Sequence, residues 1–141
     1  TKYGITLRTL KSHKPGATDQ TVKDLTLNDA VSIYKKDYAT PFLFIDDIRV
    51  FNFIFNSAVQ HGVERTILFC QRACGFQNKD IDGEMGIRTR SAIMAMDKLD
   101  FMIKLISHRC KFYGSITAHN SPNIRFASGW FNRISKDLGV F

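Results

Sequence analysis

Three uncharged amides, Asn52, Asn56 and Gln60, stand four residues apart in a nearly all-apolar stretch from Arg49 to Gly75. On a helix that spacing stacks them on one face. Neutral amides both donate and accept hydrogen bonds, so such a stripe suits two chemistries. It can read hydroxyl and amide groups of a ligand in a cleft, or it can satisfy backbone groups inside a core. The residues alone leave both open.

Glutamates are scarcer. Cleavage of a glycosidic bond generally uses a carboxylic acid as proton donor, and the glutamates are Glu64 and Glu84 alone. Glu64 opens a helix, where the dipole favours the ionised form and makes a poor acid. Glu84 sits in the turn Asp82-Gly83-Glu84, with no evident partner carboxylate. His13, His61, His108 and His119 are scattered beside turns and read as surface or capping groups. Three cysteines exclude a complete disulfide framework. Cys70 and Cys74 lie four apart, but no CxxC or paired-His spacing accompanies them, so they read as small buried groups, with no metal or cofactor expected. A Gly-rich phosphate loop and a G-x-S-x-G elbow are also missing.

The elements that position these residues are mainly helical. The Arg49–Gly75 stretch reads as a helical pair broken at His61-Gly62, with Asp46-Asp47 capping its start and Gly75 ending it. Upstream, Thr1–Ile5 reads as a short extended piece. Thr6–Ser12 gives one or two helical turns, and a helix from Leu27 follows a Thr26/Asp29 near-capping box and stops at Thr40-Pro41. Phe42–Ile45 reads as a strand or buried loop. Downstream, the pattern predicts one long helix over Thr89–Lys111 with Ile93, Met96, Ile103, Ile106 and Cys110 inward. A loop over Gly114–Pro122 and a last amphipathic helix carrying Ala127, Trp130, Phe131, Ile134 and Leu138 complete the chain. The expectation is a mainly α fold of about five helices with at most a small extended segment.

The 141 residues fit one domain, with 44% hydrophobic and 23% charged residues. No apolar run reaches the ~18 residues of a membrane span, and no signal-peptide pattern opens the chain. A net charge of +7 favours polyanionic partners such as nucleic acid, anionic lipid or an acidic cell wall. The cations are spread out, Lys35-Lys36 being the densest small pair, which disfavours a nucleic-acid tail.

Five blocks, in order, resemble glycoside hydrolase family 108, the phage and prophage N-acetylmuramidases. They are Thr1-Lys2-Tyr3-Gly4-Ile5-Thr6, then Ile33-Tyr34-Lys35-Lys36-Asp37-Tyr38, then Phe51-Asn52-Phe53-Ile54-Phe55-Asn56-Ser57. Gln71-Arg72-Ala73 with Asp82-Gly83, Gly86 and Thr89 comes next, and Gly129-Trp130-Phe131-Asn132-Arg133 last. The later part resembles the peptidoglycan-binding domain that accompanies this catalytic segment.

The resemblance implies a lysozyme-like helical fold, with residues 1–45 as the C-terminal portion of the catalytic segment and 46–141 as a helical peptidoglycan-binding segment. It implies cleavage of the β-1,4 bond between N-acetylmuramic acid and N-acetylglucosamine, with glycan strands as partner, at the bacterial cell wall or periplasm. Export by a holin or secretion apparatus is the corresponding expectation. The general acid is implied to be a Glu of a Glu-Gly-Gly stretch upstream of Thr1. Thr1 itself matches the threonine that holds the attacking water. Tyr3, Asn52, Asn56, Gln60 and Trp130 are the substrate-binding candidates, although the periodicity around Trp130 favours core packing. The alternatives are a non-catalytic peptidoglycan-binding module or a basic helical nucleic-acid-binding domain, the latter motivated by the helix-turn-helix-like pair at 51–75.

Overall fold

The computed structural model describes residues 1–138. It is mainly α, as expected, with eight α-helices among the described residues. The last three residues of the expected 46–141 segment lie outside them. The chain divides into two compact units, Thr1–Thr40 and Pro41–Phe141.

In the first unit, α1 (Leu7–His13) is capped by Thr6, α2 (Asp19–Asp24) by Thr18 and α3 (Leu27–Tyr34) by Thr26. The near-capping box at Thr26 closes fully: its backbone N–H reaches Asp29 Oδ2 at 3.0 Å, and its hydroxyl accepts from Asp29 N–H at 3.1 Å. A second reciprocal box joins Thr18 and Thr21 and starts α2, which the apolar pattern did not reveal because only Val22 of its six residues is buried. Past α3 the winding widens into a single π turn over Lys35–Ala39. Ile5, Leu10, Val22, Leu25, Ala30 and Ile33 form the core of this unit.

In the second unit, α4 (Ile48–His61) and α5 (Val63–Ala73) are the expected pair, parted at Gly62. Gly75 takes φ +83° and donates to Arg72 O, while Phe76 N–H reaches back to Gln71 O. Those two bonds close α5 by the left-handed motif that favours glycine. The remaining helices are α6 (Ile87–Ala95), α7 (Lys98–His119) and α8 (Ile124–Leu138).

Three expectations change here. The single long helix is two, because the backbone is extended at Met96 and Asp97 restarts the winding by capping Asp100 N–H. Residues 114–119 continue α7 rather than forming a loop. The inward face of α7 is also rotated: Phe101, Met102, Leu105, Arg109 and Tyr113 are buried, whereas Ile103 is 57% exposed. A charged residue in the inward stripe hid the true phase of the helix.

Candidate functional site

In the first unit, Lys2 and Ile5 exchange backbone hydrogen bonds of 3.1 and 2.9 Å. Tyr3 and Gly4, at φ +53° and +78°, therefore form a two-residue turn and not the expected extended piece. Tyr34 Oη donates to Tyr3 O at 3.1 Å, and a Cβ on Gly4 would lie 2.5 Å from that hydroxyl, so the position needs glycine. Lys2 Nζ donates to Lys23 O at 2.7 Å, tying the turn to the end of α2. His13 Nε2 and Asp37 Oδ2, 2.8 Å apart, join α1 to the π turn. The backbone is thus fixed while Thr1 is exposed and the Tyr3 ring 47% exposed. Thr1 lines an open cavity with Lys2, Asp19, Val22 and Lys23.

Asn52, Asn56, Gln60 and Trp130 lie in the second unit. Asn52 is exposed on α4. Asn56 Oδ1 accepts from Arg109 Nη2 at 3.4 Å, and Gln60 Oε1 accepts from Arg133 Nη1. Two of the three amides, Asn56 and Gln60, are therefore bound by their carbonyls to α7 and α8. The amide N–H groups of Asn56 and Gln60 make no hydrogen bond among the described residues. Trp130 stacks on Tyr113 with ring centroids 5.0 Å apart, the packing its periodicity suggests.

Arg109 is the residue that sequence reasoning missed. It is wholly buried, its guanidinium 4.7 Å from the Phe53 ring centroid and 3.5 Å from Asp137 Oδ2. That ion pair lacks hydrogen-bond geometry, and Arg109 Nε and Nη1, Tyr113 Oη and Asp137 Oδ2 are buried without a hydrogen-bond partner among the described residues. Burial pushes the Asp137 carboxyl above its ordinary range, outweighing the pull of Arg109. His61, expected at the surface, instead packs edge-on among Phe69, Phe112 and Tyr113. Burial, with Arg109, Arg65 and Arg133 nearby, brings its imidazole down to about 4.

Gln71 is a second buried node. Its Nε2 donates to Asp82 Oδ1 at 2.7 Å, Glu84 O at 3.2 Å and Thr89 Oγ1 at 3.2 Å, while its Oε1 accepts from Gly83 N–H at 3.0 Å. One side chain thus anchors the 82–86 loop and the first turn of α6 to α5. The Gln71 bond holds the Asp82 carboxyl below its ordinary range, and Glu64 packs over Gly83. Asp47 caps α4, and its bond to Arg49 brings its carboxyl to about 2. Each of these acids serves structure. Cys70 is fully buried, and burial raises both its thiol and that of Cys74, the latter to about 11.

Residues 1–62 match the family Glycosyl hydrolase 108, and residues 65–135 match the family described as Predicted Peptidoglycan domain. The chain belongs to the Glycosyl hydrolase 108 family in its first segment and to the Predicted Peptidoglycan domain family in its second. The solved structure of SagA from Brucella abortus is similar, with 25% sequence identity and a TM-score of 0.78 over 95% of this chain and 74% of that one. No curated protein matches. In this glycosyl hydrolase 108 chain the two matches meet at the α4–α5 break, so α4 falls in the hydrolase match yet packs in the second unit. Residues carrying the resemblance also touch: Tyr34 of the second block holds Tyr3 of the first, and within the fourth Gln71 holds Asp82, Gly83 and Thr89.

Proposed function

We propose that this chain is the wall-binding and water-positioning part of an N-acetylmuramidase that cleaves the β-1,4 bond between N-acetylmuramic acid and N-acetylglucosamine. The tandem order of the two family matches carries the reading: a peptidoglycan-related hydrolase segment is followed directly by a peptidoglycan domain. Residues 1–45 belong to the catalytic segment in this reading, and 46–141 to the wall-binding one. The general acid is a glutamate preceding Thr1, and it protonates the leaving oxygen. Thr1 Oγ1 accepts from and donates to the attacking water on the opposite face of the sugar, as an inverting mechanism requires. The rigid Tyr3-Gly4 turn supports this role, because a hydroxyl orients water only when its backbone is held.

The exposed Tyr3 ring offers a stacking face for a sugar. Asn52 and the uncommitted amide N–H groups of Asn56 and Gln60 supply donors for N-acetyl carbonyls. Trp130 acts by holding α8 on Tyr113. The chemistry uses no metal or cofactor. The site of action is the bacterial cell wall, and no helix among the described residues is long and apolar enough to cross a membrane.

The test is turbidity loss of a peptidoglycan suspension, using a polypeptide extended upstream of Thr1. Lysis that disappears when the upstream glutamate becomes glutamine is the expected result. A folded, extended polypeptide that sediments with sacculi without clearing them would favour the binding-module reading instead.

A further inference from the structure

Arg65 and Arg72 are seven residues apart on α5, and Lys104, His108 and Lys111 follow at spacings of four and three on α7. Either spacing keeps side chains on one edge of a helix. The helices pair antiparallel, so the two edges meet. The Arg65 guanidinium lies 4.6 Å from the Phe112 ring centroid, His108 sits beside Arg72 and Lys111, and Lys104 lies near Cys74 at the far end. The result is a cationic row along the α5–α7 seam, with Arg65, Arg72, Lys104 and Lys111 all exposed.

Acids do not neutralise this row. Asp100 pairs only with Lys104 at its end, at 2.9 Å. Glu64 is turned away, its side chain packed over Gly83. Arg65, Arg72 and Lys111 have no carboxylate partner among the described residues. An exposed row of one sign attracts anions from solution. Phe112 restrains Arg65, and a pre-oriented guanidinium binds carboxylate through paired hydrogen bonds.

We propose that the α5–α7 seam is a docking surface for the free carboxylates of peptidoglycan stem peptides. This rests on the wall reading above and adds the part of the polymer that is read: its peptide acids, as distinct from its sugars. Several weak contacts along a polymer then add up as avidity.

Co-sedimentation of the 141-residue chain with purified sacculi tests it without requiring lysis. The variant R65E/R72E/K111E is compared with K11E/K36E/K79E, which changes net charge equally but elsewhere. The seam variant is expected to bind about tenfold or more weakly at low salt, and the control far less so. Sacculi with amidated carboxyls, and neutral chitin, should bind wild type as weakly as intact sacculi bind the seam variant. R65Q/R72Q/K111Q, checked for native helicity, repeats the test should charge reversal impair folding. Equal loss in the control, undiminished binding to amidated sacculi, or seam-dependent binding to duplex DNA in preference to sacculi would each overturn the proposal. Absence of lysis by the polypeptide extended upstream of Thr1, with seam-dependent binding intact, would instead count against the muramidase reading alone.

Discussion

In the first unit, the ties that fix the Thr1–Ile5 turn run from partly exposed side chains to backbone carbonyls: Lys2 to Lys23 O and Tyr34 to Tyr3 O. In the second unit the principal ties start from the wholly buried Gln71 and Arg109. The difference separates presentation from scaffolding. Backbone-directed bonds hold the turn while leaving Thr1 and the Tyr3 ring facing outward. Buried side-chain nodes turn their polar atoms inward to lock helices and a loop, away from any ligand at the surface. The proposed chemistry uses the first kind of region and the proposed docking the second.

The largest effect is expected at Arg109. Arg109→Met strands the Asp137 carboxyl and the Asn56 carbonyl, and should cost about 3 kcal/mol or more in the urea unfolding of the second unit. The double variant R109M/D137L should recover part of that loss, since the charge left behind is gone. Gln71→Ala removes four hydrogen bonds at once and should cost roughly 2–3 kcal/mol. Hydrogen exchange should then show the 82–86 loop and the first turn of α6 opening ahead of α4.

A pH effect follows from His61. Its folded value, about 4, lies below the ordinary value of 6.5, so the unfolded chain takes up the proton first. The stabilisation is complete above about 6.5 and is lost as pH falls toward about 4. Thermal unfolding temperature should drop across that window, and His61→Phe should flatten the drop. Arg109, Arg65, Arg133 and Asp137 remain in the variant, so the change in slope reports the imidazole.

The smallest effect on stability sharpens the comparison most. Tyr34→Phe removes one partly exposed hydrogen bond and should cost only about 1 kcal/mol. Because that bond holds the turn bearing Thr1, lysis by the extended polypeptide should nevertheless fall, whereas sacculus binding should not. Equal loss of both would place the turn in the scaffold.

Sequence patterning revealed the helices whose apolar faces were uninterrupted. The α4–α5 pair, its Asp47 cap and its Gly75 terminator follow directly from residue types. It fails where a polar residue faces inward: Arg109 shifts the apparent phase of α7, and His61 reads as outward because its aromatic neighbours come from distant parts of the chain. The α6–α7 break carries no glycine or proline, only the Asp97 cap. At the candidate site, the residues of the stripe were legible, but their bonds to Arg109 and Arg133, 53 and 73 positions away, were not. The Tyr3-Gly4 turn was half legible, since glycine marked its flexible point while Tyr34, 31 residues on, fixed its shape.

The central claim is the identity of the bond that is cut. Mass spectrometry of soluble fragments from sacculi treated with the upstream-extended polypeptide reads it directly from the new chain ends. Fragments with reducing N-acetylmuramic acid ends are expected, abolished when the upstream glutamate becomes glutamine and strongly reduced in Thr1→Val. Reducing N-acetylglucosamine ends, or cleaved stem peptides on intact glycan, would contradict it.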